Sequence, residues 1–506
     1  MESMSCCSAL RLATPTSFGK RAATRLGRLR RLADSRSSDR SVRGMATEKE
    51  TFPLVVLGGG NAAGYCAKQF VESGGSAGDL CIIGREPFCS YERPALSKAY
   101  LFPDKPARLP GFHTSVGGGG ERQEPAWYKD KGIAFKLGSA VTEASLKDKT
   151  LTLADGSSVG FEKLIIATGA RPVYLHEFGT PNASAQGICY LRNVADGDHL
   201  NAQIKLCKTK YDNKAVVVGG GYIGMECAAA LSLNGVDTTM VFPESHLMER
   251  LFTPSLAKFY EDYYQSKGIK MQKGDLITGF ATEKVKKGLL SMFDKGVPAP
   301  GTEIDDAPET PDERVVRAQL KSGGELECSL AVVGVGARPN VELFDGQLDM
   351  AEGCKGIQVD SQLRASAEGV YAVGDVAAFP LAMDGGAVSR QEHVMNCRLS
   401  AYHAVKGALD ADFSEAYDYL PYFYSRVFDL SWVFYGFNRG KAVEFGKKEP
   451  GCTFGCFWVS DKGKVVGIFA ESASAEAVEK IKKLAKEQPR APRTEVLQEQ
   501  GLEAFP

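Results

Sequence analysis

The sequence predicts an α/β fold: two Rossmann-like dinucleotide-binding domains in series, then a C-terminal α+β domain with an antiparallel sheet. Three observations carry this. Gly58-Gly59-Gly60-Asn61-Ala62-Ala63-Gly64 and Gly219-Gly220-Gly221-Tyr222-Ile223-Gly224 each follow an apolar run and open a helix-like stretch. Each is succeeded by a second apolar run that ends in an acid, Leu80-Cys81-Ile82-Ile83 leading to Glu86 and Thr238-Thr239-Met240-Val241-Phe242 leading to Glu244. Beyond about residue 411 the pattern changes to aromatic alternation, through Phe457-Trp458-Val459 and Val465-Val466-Gly467-Ile468-Phe469, which suits antiparallel strands.

The runs before the glycines, Leu54-Val55-Val56-Leu57 and Ala215-Val216-Val217-Val218, read as strands buried on both faces in a parallel sheet. In such a fingerprint one glycine makes the tight turn and another lets backbone approach a pyrophosphate. The helix behind offers free N–H groups and the positive end of its dipole. Two dinucleotides are therefore expected, on Gly58, Gly60, Asn61, Ala62 and Ala63 and on Gly219, Gly220, Gly221, Tyr222, Ile223 and Gly224. Glu86 and Glu244 can each bridge the hydroxyls of an adenosine ribose; the plainer alternative is a solvated loop acid. A carboxylate at Glu244 repels a 2′-phosphate and so favours NADH over NADPH, while Arg250, six residues on, keeps NADPH open.

Lys163-Leu164-Ile165-Ile166-Ala167-Thr168-Gly169 is a strand running into a tight turn, where the chain leaves the first domain, and Leu330 to Asn340 carries the return. Gly369-Val370-Tyr371-Ala372-Val373-Gly374-Asp375 is a further strand ending in an acid, with Asp375 a hydroxyl acceptor for the cofactor, a helix N-cap, or both. The domains follow: 47–185 and 341–410 form a discontinuous first unit, 186–340 is inserted between them, and 411–506 closes the chain. A helix is expected near 473–486. Gly117 to Gln123 is a glycine-rich loop that can approach the active site, and 295–313 reads as a solvated insertion.

With 61 basic and 62 acidic residues over 506, the chain carries no nucleic-acid footprint. Thirteen scattered cysteines and six histidines show neither a disulfide framework nor metal-ligand spacing, so no metal is expected and a reducing compartment is. Cys452 and Cys456 read as small buried side chains in an aromatic strand. No apolar stretch is long enough for a membrane span. The first 44 residues hold nine Arg and Lys20 against Glu2, Asp34 and Asp39, with abundant Ser, Thr and Ala. Residues 1–46 thus look like a transit peptide, chloroplast before mitochondrion, and an internal start at Met45 gives a cytosolic form. Oligomeric state is left open, with a monomer admitted.

From about residue 51 to 475 the chain resembles the monodehydroascorbate reductases, flavoproteins of the glutathione-reductase-like fold that use FAD and NAD(P)H. The resemblance rests on Tyr91-Glu92-Arg93-Pro94-Ala95-Leu96-Ser97-Lys98, Leu109-Pro110-Gly111-Phe112-His113-Thr114, Glu392-His393-Val394 and Leu420-Pro421-Tyr422-Phe423-Tyr424-Ser425-Arg426-Val427-Phe428. It implies that FAD is held by the first fingerprint, Glu86, Arg93, Lys98, Val141, Ala167, Thr168, Asp375 and Val394. It implies NADH on Gly219 to Gly224 with Met225 and Glu226, Glu244 and Arg250 at the adenosine end, and Gly336, Glu392 and His393 nearer the nicotinamide. Arg398 and Arg426 are implied to bind the anionic monodehydroascorbate radical, with Tyr424 beside the flavin and Tyr222 covering its nicotinamide face. Simple packing is the alternative for Tyr222, and an ordinary surface arginine for Arg398. Two departures stand out: Ser115 replaces the family's common cysteine, and Met395-Asn396-Cys397 is less polar than the usual form.

The rivals are a ferredoxin- or rubredoxin-type reductase, which needs a charged docking face, and a signalling flavoprotein of the apoptosis-inducing-factor kind, which needs a basic surface. Neither charge pattern is evident. The disulfide-reductase branch needs a thiol pair where Cys66 stands alone.

Overall fold

The computed structural model describes residues 50–114, 120–285 and 312–506. In the first sheet, Glu50–Leu57 lies between Leu80–Ile83 and Ser158–Ile166, parallel to both, and Ala134–Lys136 extends the parallel edge. Val370–Ala372 adds in parallel to Ser158–Ile166 with Tyr371 opposite Ile165. A strand from two hundred residues later thereby completes the first sheet, so the first unit is discontinuous. Helices Asn61–Glu72 and Val394–Leu409 pack together against this sheet, whose central strand is buried along residues 54–57.

A second parallel sheet runs Lys270–Lys273, Asp237–Phe242, Lys214–Val218, Leu330–Val333, Ile188–Cys189. The chain enters and leaves this unit along one ribbon, Ala170–Pro172 antiparallel to Ala337–Pro339. Strands Ile277–Lys284, Glu313–Leu320 and Glu325–Glu327 form an antiparallel layer beside it. Glu313, expected within the solvated insertion, instead opens a strand, since Arg314 and Val315 pair with the second-unit hairpin; residues 286–311 lie outside the described ones, as do 1–49 and Ser115.

The C-terminal unit is a five-stranded antiparallel sheet in the order Tyr422–Val427, Leu430–Gly436, Val465–Glu471, Phe454–Val459, Lys441–Gly446. One face is closed by helices Ala475–Glu487 and Thr494–Gln500. Trp432, Phe434, Phe454 and Phe469 on the other face join Phe252, Tyr260 and Tyr264 of the second unit in one continuous apolar core. That packing fixes the third unit against the second and carries the first strand of the sheet, Tyr422–Val427, to the helix behind the second fingerprint. Cys456 is fully buried as expected, whereas Cys452 sits half-buried in the turn ahead of the strand.

Candidate active site

Gly58 has φ +124°, and a Cβ there would lie 2.2 Å from the Ala167 carbonyl oxygen. Ala167 N–H donates to the Leu57 carbonyl at 2.8 Å, so the two strand ends are clasped and only glycine fits between them. Gly60 is the N-cap of helix Asn61–Glu72 and no side chain caps it, which leaves first-turn N–H groups without a side-chain acceptor beside small, buried Ala62 and Ala63. This is the cradle a pyrophosphate requires. The Arg93 guanidinium stands over Gly60, 3.4 Å from where a Cβ would be, and pairs with Glu86. It also donates to the Tyr91 hydroxyl at 3.0 Å and the Arg192 carbonyl at 2.8 Å. Burial by itself raises the Glu86 carboxyl; Arg93, the Tyr91 hydroxyl and Arg192 outweigh it and hold that carboxyl below the usual carboxylate range.

Asp375, buried at the end of Val370–Ala372, receives Arg192 at 3.2 Å and the Cys397 thiol at 3.3 Å. Arg390 donates to the Asp375 carbonyl at 3.0 Å and to Glu392 at 2.6 Å, which sets Glu392 beside Asp375. Burial pushes the Glu392 carboxyl up. Thr168 and Asn340 exchange hydrogen bonds at 2.8 Å across the crossover ribbon. Val141 opens the strand Val141–Ser145, just after Ser139 N–H donates to Gly84 at 2.9 Å near the Glu86 turn. Arg192 was not legible in the sequence as a site residue. It is a single arginine ahead of a helix, and only the fold brings it to Asp375.

The second fingerprint repeats this construction. Gly219 has φ +119° and a Cβ there would lie 2.3 Å from the Gly334 carbonyl oxygen, while a Cβ on Gly224 would meet the Gly219 carbonyl at 2.1 Å. Gly220 packs under Phe242. Gly221 is the N-cap, again without a side-chain cap, and open space surrounds it. Glu244 is half-buried past the end of Asp237–Phe242, and Gly336 with φ +124° accepts Val173 N–H at 3.0 Å. Arg250 is exposed, its carbonyl held by Asn438. Ile223 is half-buried against Gly334. Met225 is core, and Glu226 is buried with its carboxylate on Lys98 at 2.8 Å, on Ser425 at 2.6 Å and on Ser97. Both lie on the buried part of helix Tyr222–Leu233, where residues 224–231 are buried throughout.

The third part of the site gathers around helix Val394–Leu409. His393 is its N-cap, and its Nδ1 accepts Met395 N–H at 3.2 Å, so the neutral ring carries its proton on Nε2. Its ring abuts Tyr422, Phe423 and Tyr424 at 4.8, 5.3 and 5.3 Å. Burial, then the charges of Arg398 and Lys98, pull its pKa down to about 3. Val394, next on the helix, is half-buried. Arg398 lies over the Tyr65 ring at 5.1 Å and donates to Glu92 at 3.0 Å, and its Nε is buried with no hydrogen-bond partner among the described residues. Strand alternation in Tyr422–Val427 sends Ser425 to Glu226 and puts Tyr424 and exposed Arg426 on the other face. Lys98 Nζ is 6.0 Å from the Tyr424 ring centre, and Tyr222 packs edge-on to Phe423 at 5.8 Å. Lys98, Tyr222, His393, Arg398, Tyr424 and Arg426 are thus brought together from four separate stretches of chain.

Residues 52–404 match the pyridine nucleotide-disulphide oxidoreductase family, and 420–505 match the C-terminal domain described as monodehydroascorbate reductase 3-like. The peroxisomal monodehydroascorbate reductase 4 of Arabidopsis thaliana is 46% identical over 87% of this chain and 83% of its own. A monodehydroascorbate reductase of Solanum lycopersicum is 45% identical over 89% of this chain and 98% of its own. The chain belongs to the monodehydroascorbate reductases. The architecture is shared with a ferredoxin reductase from Rhodopseudomonas palustris at TM-score 0.69, with 27% identity over 85% of this chain and 93% of that one. Putidaredoxin reductase shares the fold at TM-score 0.70, covering 87% of this chain and 94% of that one. As a monodehydroascorbate reductase the chain uses FAD and NAD(P)H. The two open glycine N-caps, each beneath a strand-end carboxylate, fit two such dinucleotides. Relatives carry peroxisomal and cytosolic names, and no described helix is long and apolar enough to cross a membrane.

Proposed function

We propose that this chain reduces the monodehydroascorbate radical to ascorbate with electrons from NADH, binding the radical at Arg398. The carrying observation is the Arg398 guanidinium, enclosed beside His393 and Tyr424, with a buried Nε that has no hydrogen-bond partner among the described residues. A buried unpartnered donor on a cation is matched by an anionic oxygen, and a charge-assisted bond to it is worth more than a neutral one. Arg426, exposed on the same strand face as Tyr424, draws the anion toward that point.

FAD, when bound, supplies the conversion of one hydride from NADH into two single electrons. In balance, NADH, one proton and two radical anions give NAD⁺ and two ascorbate monoanions. The first fingerprint, Arg93, Arg192, Glu86 and Asp375 hold the flavin nucleotide. Gly219 to Gly224 hold the pyrophosphate of NADH, and Glu244 takes its ribose hydroxyls. Lys98, held by Glu226, would supply an ammonium to the flavin, and Tyr222, packed edge-on to Phe423, would cover it on the nicotinamide side. Delivery of residues 1–46 to a plastid belongs to the same reading, and a fluorescent fusion of that segment tests it.

The deciding experiment is NADH oxidation by the flavin-loaded protein while ascorbate oxidase generates the radical, with ferredoxin and rubredoxin as parallel acceptors. A fast rate that requires the radical supports the reading. A rate seen only with a carrier protein transfers the function to the electron-carrier reductases.

A further inference from the structure

Among the described residues, the acid that pairs with Arg398 is Glu92, and its surroundings show how it is held there. Glu92 is buried in the run between Tyr91 and Arg93. Its Oε1 accepts the Tyr65 hydroxyl at 2.5 Å; its Oε2 accepts Asn61 Nδ2 at 2.8 Å and Arg398 Nη2 at 3.0 Å. Asn61 and Tyr65 both belong to the first fingerprint helix. The carboxylate is therefore anchored from the flavin-binding side and meets Arg398 as a fixed negative charge.

The chemistry gives that charge a task. Each NADH requires two radical anions to arrive and two ascorbate anions of the same charge to leave, all at one arginine. An unpaired guanidinium in an enclosed site attracts both alike, and tight binding of the product slows release without lowering the barrier to electron transfer. Resting on the reading of Arg398 as the radical's anchor, we propose that Glu92 is the counter-charge that keeps Arg398's hold on ascorbate loose, acting through Arg398 rather than on the substrate. It neutralises part of the cation while leaving Nε for the substrate's oxygen.

Glu92→Gln isolates the charge. The glutamine oxygen can accept from Asn61 and Arg398 while its amide donates to the Tyr65 oxygen, so the geometry is retained. In the flavin-loaded protein, equilibrium dialysis of ascorbate should show Kd falling about ten-fold in Glu92→Gln, an order-of-magnitude expectation for removing a charge at this distance. The radical's KM and kcat should fall together. Glu92→Asp, which keeps the charge, should bind ascorbate as the parent protein does, and Glu92→Gln should tighten nothing in an Arg398→Ala background. The proposal is overturned if Glu92→Gln leaves ascorbate affinity unchanged or weakens it, or if Glu92→Asp tightens binding equally. If Arg398→Ala itself changes neither ascorbate affinity nor the radical's KM, the anchor reading fails and the proposal falls with it. Weakening by Arg398→Ala without tightening by Glu92→Gln sinks the counter-charge alone.

Discussion

The ammonium of Lys98 lies 2.8 Å from the carboxylate of Glu226, an ion pair whose acid is almost wholly buried. Lys98 comes from the flavin-binding unit, Glu226 from the helix behind the second fingerprint, and Ser425, which donates to the same carboxylate at 2.6 Å, from the C-terminal sheet. One carboxylate therefore ties together the three parts that form the site. Glu226→Ala strands a cation and two hydroxyls at this junction, and breaking a buried pair in this way costs about 3–5 kcal/mol. The urea midpoint should fall and flavin reduction by NADH should slow together. Full stability in Glu226→Ala would mean that the apolar core alone holds the units in place.

Gly58→Ala and Gly221→Ala should separate folding from nucleotide binding. A Cβ on Gly58 would sit 2.2 Å from the Ala167 oxygen at φ +124°, between two strand ends that cannot part, whereas a Cβ on Gly221 meets nothing within 4 Å. The first substitution should cost at least about 2 kcal/mol and yield flavin-poor protein. The second should fold with full flavin absorbance and show a raised KM for NADH, because its methyl intrudes where the pyrophosphate needs backbone. Equal flavin content in the two variants would contradict the assignment of the fingerprints.

Glu244 is half-buried past the strand Asp237–Phe242, where its charge opposes a 2′-phosphate. Glu244→Ala should narrow the ratio of kcat/KM for NADH over NADPH by about ten-fold, the scale of one like-charge contact near the surface. A ratio that does not move places the adenosine contact on another residue, with exposed Arg250 the next to substitute.

The fold was legible where local pattern and tertiary role coincide. Apolar runs followed by glycines at Leu54–Gly60 and Ala215–Gly221 become central parallel strands because such a strand must be buried on both faces. The aromatic alternation at Phe454–Val459 likewise becomes sheet. Site residues were legible where the motif itself carries the geometry, as at Gly58 and Gly219. They were not where the fold supplies it. Arg192 reaches Asp375 across 183 positions, Glu92 reaches Arg398 across 306, and Glu226 is met by Lys98 and Ser425 from two other units. No spacing rule connects such pairs; long-range packing does.

His393 makes the acid stability of the protein testable. Its ring is buried and neutral, capping helix Val394–Leu409 through Nδ1, with a pKa pulled down to about 3 by burial and by Arg398 and Lys98. In the unfolded chain a histidine titrates near 6.5. Between those values the unfolded state binds the extra proton, so stability is intact above about pH 6.5 and is lost as pH falls toward about 3, at up to ~1.4 kcal/mol per pH unit. Asparagine can accept Met395 N–H in the same way but does not titrate. His393→Asn should therefore show a shallower decline between pH 6.5 and 4.5 in urea unfolding, by about one proton per molecule, whatever its stability at pH 7. An identical slope in the two proteins would assign the acid sensitivity to other groups.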